Sequence, residues 1–246
     1  MMRQPKVIMV MPAHYAAKTL EKTLREIPKG LVKEFILVDD ASKDGTAKMA
    51  ERLGLTVFKH PHNLGYGGNQ KTCYWEALKR KPDIVVMLHP DYQYDGSLTN
   101  KLIEPIIDGR FDIMMGNRIQ TREQTLRGGM PLYKYIANRL LTVGENIVLG
   151  QNLSEWHSGF RAFRREVLEK VPFQRFSNDF IFDQQILFSA ISWNFKIGAI
   201  HIPCRYFPDS SSIKFRKSIK YGLGIIYLMF IYLLYKIGHK NKLFKE

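Results

Sequence analysis

The chain has 246 residues, of which 45% are hydrophobic and 24% charged, so it is long enough to bury a core and wholesale disorder is excluded. Its two cysteines exclude a disulfide scaffold and a four-cysteine zinc site, and they suit a reducing compartment. The net charge of +14 indicates an anionic partner, either a nucleic acid, an anionic membrane surface or a phosphorylated substrate.

Apolar runs typical of buried strands alternate with helix-like segments through the first half of the chain. The predicted strands are 7–11, 34–38, 56–58, 84–88 and 112–115, and the predicted helices are 19–27, 46–53, 67–78 and 101–107. This alternation predicts an α/β fold, with a mostly parallel sheet flanked by helices. The pattern fades after about residue 117, and no internal repeat or Gly/Ser linker follows.

Polar clusters directly follow three of the predicted strands. They are Pro12-Ala13-His14-Tyr15, Asp39-Asp40-Ala41-Ser42 and His89-Pro90-Asp91. Ligands of open α/β sheets bind at the carboxyl ends of strands, so the clusters predict a single crevice. Asp39 and Asp40 suit hydrogen bonds from a base and from ribose hydroxyls, and Asp91 suits a divalent cation held by a diphosphate. Turn or capping roles are the alternatives for these carboxylates.

The common nucleotide-binding loops are absent from the sequence. No GxGxxG follows the first strand and no GxxxxGK[ST] occurs, which argues against a Rossmann dehydrogenase and a P-loop NTPase. The segment Gly65–Lys71 is glycine-rich and leads into a predicted helix. Its glycines either let the backbone approach an anionic ligand at the helix N-terminus or form a tight loop for packing.

Several motifs follow one another in order across residues 5–205. They are Pro12-Ala13, Val38-Asp39-Asp40-x-Ser42-x-Asp44-Gly45-Thr46, Asn63-x-Gly65-x-Gly67-Gly68-Asn69, the Asp91 loop, Gly116-Asn117-Arg118 and Ser158-Gly159-Phe160-Arg161. In this order and spacing, the chain resembles the family 2 glycosyltransferases of the GT-A fold. The branch it resembles includes dolichyl-phosphate mannose synthases and bacterial polyprenyl-phosphate glycosyltransferases.

The resemblance implies a Rossmann-like nucleotide-binding half and an inverting transfer of a sugar from a nucleotide-diphosphate sugar. The implied donor-binding residues are Pro12, Ala13, Asp39, Asp40, Gly68 and Lys71. Asp91 corresponds to the last residue of a DxD-type metal motif, where Mg²⁺ or Mn²⁺ would neutralise the leaving diphosphate. His89 replaces the first aspartate of that motif, so either Asp91 holds the metal alone or His89 is a second metal ligand.

The acceptor decides which further residues the reaction needs. A sugar hydroxyl needs a general base, whereas a lipid phosphate is already an anionic nucleophile and needs cations. The resemblance implies that the acceptor phosphate contacts Arg118, Arg127, Lys134 and Arg161. The alternatives are a solvated basic helix face and, for Arg161, a structural ion pair. Asp183 is the candidate general base or organiser of the metal site, and it is predicted to be catalytic together with Asp91.

The C-terminal segment differs from the rest of the chain. Residues 222–235 carry no charge, and a helix of that length spans about 21 Å, short of a ~30 Å hydrocarbon core. Residues 214–246 contain eight basic residues and one acidic residue, which is half of the positive excess. Basic flanks and tyrosines favour a helix lying in a membrane interface, and a core helix with a basic tail is the alternative. Residues 1–210 are thus predicted as the catalytic domain and 211–246 as a membrane-associating segment.

The predicted function is sugar transfer from a nucleotide-diphosphate sugar to a polyprenyl phosphate at the cytoplasmic face of a membrane. One alternative keeps the enzyme and changes the acceptor to the hydroxyl of a saccharide or a lipid-linked saccharide. The alternative of a different class is a basic nucleic-acid-binding module. Because half of the positive excess flanks an apolar segment, no nucleic-acid partner is expected.

Overall fold

The structure is a computed structural model that describes residues 4–119, 122–127, 129–203, 205 and 215–245. Within these residues seven strands form one sheet in the order β3-β2-β1-β4-β6-β5-β7. The strands are β1 Val7–Ala13, β2 Glu34–Asp39, β3 Thr56–Lys59, β4 Ile84–Met87, β5 Ile113–Asn117, β6 Arg161–Arg164 and β7 Ile197–His201. All neighbouring pairs are parallel except the two made by β6, which is antiparallel to β4 and β5.

Helices cover both faces of this sheet. They are α1 Leu20–Glu26, α2 Thr46–Arg52, α3 Tyr66–Leu78, α4 Thr99–Ile107, α5 Arg122–Arg127, α6 Leu132–Leu149, α7 Arg165–Lys170, α8 Phe182–Ser192 and α9 Phe215–Lys236. The predicted α/β fold with a mostly parallel sheet is confirmed, and so are the five predicted strands and four predicted helices, with ends that shift by up to two residues.

The core is divided between the two faces of the sheet. Along β1, Ile8 and Val10 point into one apolar cluster, while Val7 and Met9 point into the other. Side chains of a strand alternate between faces, so a strand buried on both sides reads as a continuous apolar run. This is why the central strands were recognisable from composition alone.

Helices α6 and α9 pack side by side at the edge of this core. On α9, Ile225, Leu228 and Tyr232 are buried, and Tyr232 packs edge-on against Phe188 of α8 at 5.6 Å between ring centroids. Among the described residues, one helix, Arg216–Lys236, is long and apolar enough to cross a membrane by length and composition. Its buried face instead belongs to the same apolar cluster as the sheet. The division of the chain at residue 210 stays a prediction.

Candidate functional site

The sheet order creates a crevice where the strand order reverses, between β1 and β4. The loops after β1, β2 and β4 meet at this edge, and each holds one non-glycine residue with positive φ. These residues are Tyr15 at 56°, Ala41 at 60° and Tyr92 at 61°. Residues other than glycine rarely adopt a positive φ, because the side chain then crowds the backbone. Backbone strain of this kind clusters at ligand sites. The three loops are therefore the candidate site, as their polar clusters indicate.

The two adjacent carboxylates at the end of β2, Asp39 and Asp40, face different surroundings. Asp40 is buried, and its oxygens accept hydrogen bonds from His60 Nδ1 at 2.7 Å, from the Leu64 amide at 2.8 Å and from the Gly65 amide at 3.1 Å. Asp39 accepts one hydrogen bond from a described residue, the Ser42 amide at 3.3 Å. Asp40 thus shapes the loop, whereas Asp39 keeps acceptor capacity for a base or a ribose hydroxyl.

The ends of β1 and β2 are tied together by a side chain from α3. Asn69 Nδ2 donates to the Ala13 carbonyl at 3.2 Å and to the Val38 carbonyl at 3.1 Å. Ala13 also accepts the Asp40 amide at 2.9 Å. Pro12 and Ala13 are buried at the end of β1, so they form the floor of the crevice.

The glycine-rich segment serves packing. A Cβ on Gly67 would lie 2.7 Å from Phe182 Cβ, and a Cβ on Gly68 would lie 2.9 Å from Leu64 Cβ. The amide of Gly67 donates to the Asn178 carbonyl at 2.8 Å, so this helix N-terminus is capped by the protein itself. This packing gives no support to the predicted donor contact of Gly68, which stays a prediction.

Lys71, the other predicted donor contact on this segment, is also turned toward the protein. Its Nζ donates to the Asn178 side chain at 2.7 Å and to the Phe176 carbonyl. Burial lowers the pKa of Lys71. This lysine fastens the 176–178 loop to α3, and the placement gives no support to a direct nucleotide contact.

His89, Tyr66 and Asp183 form a hydrogen-bonded row beside the crevice. The Tyr66 hydroxyl lies 2.7 Å from Asp183 Oδ2 and 3.0 Å from His89 Nε2, and the rings of Tyr66 and His89 stack at 5.3 Å. Burial first, and then the charge of Asp183, raise the pKa of Tyr66 well above its usual value, so the hydroxyl keeps its proton. A phenol has one proton to donate, and a carboxylate only accepts. His89 must therefore donate through Nε2.

This arrangement leaves His89 Nδ1 as the ring nitrogen without a hydrogen bond to a described residue. The opposite edge of the ring is covered by Gly159, where a Cβ would lie 2.8 Å from His89 Cδ2. Asp91 follows two residues later, half-buried, with Oδ1 accepting the Gln93 amide at 3.2 Å.

A divalent cation fits these residues when a substrate supplies the other ligands. Within the described part of the chain no three His, Cys, Asp or Glu side chains form a metal cluster. Mg²⁺ commonly takes one or two carboxylates together with phosphate oxygens, and an imidazole suits Mn²⁺ better than Mg²⁺. Asp91, with His89 through Nδ1, is the donor set that these loops offer.

Asp183 is surrounded by hydrogen-bond donors and a cation of the protein. Its carboxylate accepts Gln70 Nε2 at 3.0 Å, lies 3.4 Å from Arg161 Nη1 and is bonded by Tyr66. The side chain is buried among these partners. Of the two predicted roles, base or organiser, this geometry favours the organiser, since Asp183 positions Tyr66 and through it His89.

Arg161 is fully buried, which contradicts its predicted contact with an acceptor phosphate. Its guanidinium donates to the carbonyls of Ser158 at 2.8 Å, Asp183 at 2.9 Å and Trp156 at 3.3 Å. The structural ion pair, which was the alternative interpretation, is what the structure contains.

Arg118, predicted to bind the acceptor phosphate, is held by a buried carboxylate. Glu155 accepts the Arg118 backbone amide at 2.7 Å and Nε at 2.8 Å, and it pairs with Nη2. Burial raises the pKa of Glu155, but the charge and hydrogen bonds of Arg118 outweigh burial and lower it. Nη2 also donates to the His157 carbonyl at 3.1 Å. Arg118 is thus fixed at the end of β5 and partly exposed.

Lys134 of α6 adds a second cation beside Arg118. Burial lowers the pKa of Lys134, and the nearby positive charge of Arg118 lowers it further. Lys134 makes no ion pair with another described residue. Two neighbouring cations of this kind favour an anion. The side chain of Arg127, the remaining predicted phosphate contact, lies outside the described part of the chain.

Sequence reasoning assigned no role to Tyr66, Gln70 or Glu155. Tyr66 stands between two glycines of a motif, so its position could have marked it. Gln70 and Glu155 carry no local signal, because their partners lie 113 and 37 residues away.

Comparisons with known proteins confirm the resemblance. The model of the family "Glycosyl transferase family 2" matches residues 8–172. An uncharacterised protein of Methanocaldococcus jannaschii is 30% identical over 166 residues, 68% of this chain and 68% of that protein. A UDP-N-acetylglucosamine–dolichyl-phosphate N-acetylglucosaminyltransferase of Methanococcus voltae is 24% identical over 249 residues, 94% of this chain and 96% of that protein.

Solved structures show the same fold. Glucosyl-3-phosphoglycerate synthase of Mycobacterium tuberculosis, in complex with Mn²⁺, UDP and phosphoglyceric acid, superposes with a TM-score of 0.70. The match covers 97% of this chain and 80% of that chain at 19% identity.

Proposed function

The chain belongs to glycosyl transferase family 2 and is a glycosyltransferase; we propose that it moves a sugar from a nucleotide-diphosphate sugar to a polyprenyl phosphate at a membrane surface. The observation behind the acceptor is Arg118, which Glu155 holds partly exposed at the end of β5, and Lys134 of α6 lies near enough to feel its charge. The Methanococcus voltae relative, whose name gives dolichyl phosphate as its acceptor, supports the proposal over nearly the whole length of both chains.

The donor half of the reaction uses the crevice after β1, β2 and β4. Asp39 accepts hydrogen bonds from the nucleoside, on the floor made by Pro12 and Ala13. Asp91 and His89, through Nδ1, would hold a divalent cation together with the diphosphate. When bound, that cation neutralises the charge of the leaving nucleoside diphosphate. The Mn²⁺ and UDP in the Mycobacterium tuberculosis structure support this assignment by fold.

The acceptor half needs no proton transfer. An oxygen of the lipid phosphate attacks the anomeric carbon, the bond from that carbon to the nucleoside diphosphate breaks, and a single displacement inverts the anomeric configuration. Lys134 and Arg118 orient the phosphate and offset its charge. Asp183, already engaged by Tyr66 and Arg161, is not needed as a base.

The loop of residues 155–159 contacts one residue of each proposed half, which supports their being neighbours. Glu155 in this loop fixes Arg118, and Gly159 packs against His89. The acceptor phosphate and the sugar diphosphate would therefore be held from opposite ends of one short segment. The free buried thiol of Cys73 suits the reducing, cytoplasmic side of the membrane.

The test is a transfer assay in detergent with the full chain, radiolabelled nucleotide sugars and two acceptors, a polyprenyl phosphate and a lipid-linked saccharide. We expect label in the polyprenyl-phosphate fraction, dependent on Mg²⁺ or Mn²⁺. Label that appears only in the saccharide fraction would overturn the proposed acceptor. In the positive case, Lys134→Gln should raise the KM for polyprenyl phosphate and leave the KM for the nucleotide sugar unchanged.

A further inference from the structure

Helix α6 exposes an apolar stripe that the sequence analysis did not detect. Its members are spaced at three or four residues and are all exposed: Leu132, Ile136, Leu140, Val143 and Ile147. Leu140 is 70% exposed and Ile147 is 77% exposed. Residues at this spacing share one face of a helix. The opposite face of α6 contains Thr142, Glu145 and Leu149, which are buried.

Helix α9 has the same two-sided character. Its exposed apolar residues, also three or four apart, are Ile219, Leu223, Ile226, Phe230 and Leu233. Its buried residues Ile225, Leu228 and Tyr232 lie on the opposite face. Leu149 of α6 and Leu228 of α9 belong to the same core cluster, so both exposed stripes point away from that core.

The two helices contact each other along their flanks. A Cβ on Gly144 of α6 would lie 3.3 Å from the Met229 sulfur of α9, and a Cβ on Gly222 of α9 would lie 3.9 Å from Leu141. On an α-helix these contact positions lie about a quarter turn from the exposed stripes. The stripes therefore form one continuous surface, which we call the apolar platform: the exposed residues of α6 and α9 named above.

The exposed charges on the two helices of the apolar platform are basic, and one of them, Lys220, pairs with Asp179 of the neighbouring loop at 2.7 Å. Helices α6 and α9 contain one acidic residue, Glu145, and it is buried with Oε2 3.2 Å from His157 Nε2. Basic residues precede and follow the apolar part of α9: Arg216, Lys217, Lys220, Lys236, Lys240, Lys242 and Lys245. An apolar face with basic flanks, on helices that expose no acid of their own, complements an anionic lipid surface.

We propose that the apolar platform docks onto an anionic bilayer, with α6 and α9 lying together in the plane of the membrane. Helix α9 is long enough to span a bilayer, but a span would strip Ile225, Leu228 and Tyr232 from the core. The proposal rests on the membrane surface named in the proposed function and deepens it: it assigns α6 a membrane contact, and it holds whichever acceptor the enzyme uses.

The test is flotation of the full chain, without substrates, on vesicles of equal parts phosphatidylcholine and phosphatidylglycerol. Ile147→Gln on α6 and Leu223→Gln on α9 each remove one exposed apolar side chain, and each should weaken binding by about tenfold. Ile107→Gln on α4 is the matched control, since Ile107 is likewise exposed, at 50%, but lies outside the apolar platform, and it should bind like the original chain. Added salt, or phosphatidylcholine alone, should also weaken binding.

Three results would overturn the proposal. The first is no flotation with either vesicle, and the second is equal flotation with neutral and anionic vesicles. The third is a loss of binding in Leu223→Gln alone, which would leave α6 without a role. The alternative partner of the apolar platform is a second copy of the chain, and light scattering in the absence of lipid tests for it. A dimer that dissociates in Ile147→Gln would assign the apolar platform to self-association.

Discussion

The Tyr66 hydroxyl donates a hydrogen bond to Asp183 Oδ2 at 2.7 Å, and this hydrogen bond determines which nitrogen of His89 can bind a ligand. With the phenol proton committed to the carboxylate, the contact at 3.0 Å between Tyr66 and His89 requires a proton on Nε2. A histidine in the position of a motif aspartate thus presents Nδ1 in a fixed orientation. Partners of this kind commonly change metal affinity by 10- to 100-fold when removed.

We expect Tyr66→Phe to weaken binding of Mn²⁺ in the presence of a nucleoside diphosphate by about tenfold. The variant removes the hydroxyl that orients His89 and leaves the ring stack in place. Calorimetric titration with Mn²⁺ and UDP measures the effect. Tyr74→Phe is the matched control, because the Tyr74 hydroxyl is also buried and bonds Gln70 at 3.0 Å without touching His89. Equal losses in both variants would contradict the role given to Tyr66.

Removal of Arg161 should destabilise the fold because it leaves Asp183 buried without its ion pair. Breaking such a pair on one side costs about 3–5 kcal/mol of unfolding free energy. We expect Arg161→Gln to fall in this range in urea denaturation. Arg25→Gln, which breaks the exposed pair with Glu21, should change stability by less than about 0.5 kcal/mol. An Arg161→Gln protein of unchanged stability but raised acceptor KM would restore the phosphate contact that the sequence suggested.

Acceptor affinity should fall with rising pH in the alkaline range. Burial, and next the charge of Arg118, lower the pKa of Lys134. The Lys134 ammonium therefore loses its proton at a pH below the usual lysine pKa of 10.5. The cation is present below that lowered pKa and absent above it, and a phosphate acceptor needs the cation. Measurement of the acceptor KM against pH checks this, and Lys134→Arg should remove the alkaline rise because arginine stays charged. An unchanged profile in Lys134→Arg would assign the titration to another group.

The crevice could be located from the sequence because its parts are local. Polar residues that end or follow apolar runs, such as Asp39 at the end of β2 and Asp91 after β4, need only the rule that strand ends meet at one edge. Strand β6 was missed because Arg161–Arg164 begins and ends with arginine and has no apolar run. Its register with β4 is set by pairing between distant parts of the chain.

The sequence does not reveal which charged residues bind a ligand and which form structural ion pairs. Arg118 and Arg161 occur in family motifs, and either could contact a phosphate by residue type. Their burial depends on Glu155 and Asp183, which are 37 and 22 residues away. Long-range pairs of this kind leave no periodic signal, whereas the apolar stripe of α6 does have helical spacing and could have been found.

Glu155 should make the fold sensitive to acid. Burial raises its pKa, but the charge and hydrogen bonds of Arg118 outweigh burial, so the pKa lies below the usual value of 4.5. A depressed carboxyl pKa stabilises the fold fully above the unfolded value, and this contribution is lost as the pH falls through the folded value. Urea denaturation at a series of pH values from 5 downward measures this contribution. The unfolding free energy of the original chain should fall more steeply than that of Glu155→Gln, and the fall should begin at about the pKa of a glutamate in the unfolded chain. Parallel slopes would contradict the pairing.

Glycine at position 67 should be required for folding. A Cβ there would lie 2.7 Å from Phe182 Cβ and also against the Ser177 carbonyl, neither of which is the flexible end of a side chain. We expect Gly67→Ala to lower the unfolding free energy by about 1–3 kcal/mol, the usual cost of an overpacked site. In Gly144→Ala the new methyl meets the flexible end of Met229 at 3.3 Å, and helix propensity favours alanine, so stability should change little or rise. If Gly67→Ala were as stable as the original chain, the packing role given to this glycine would be wrong.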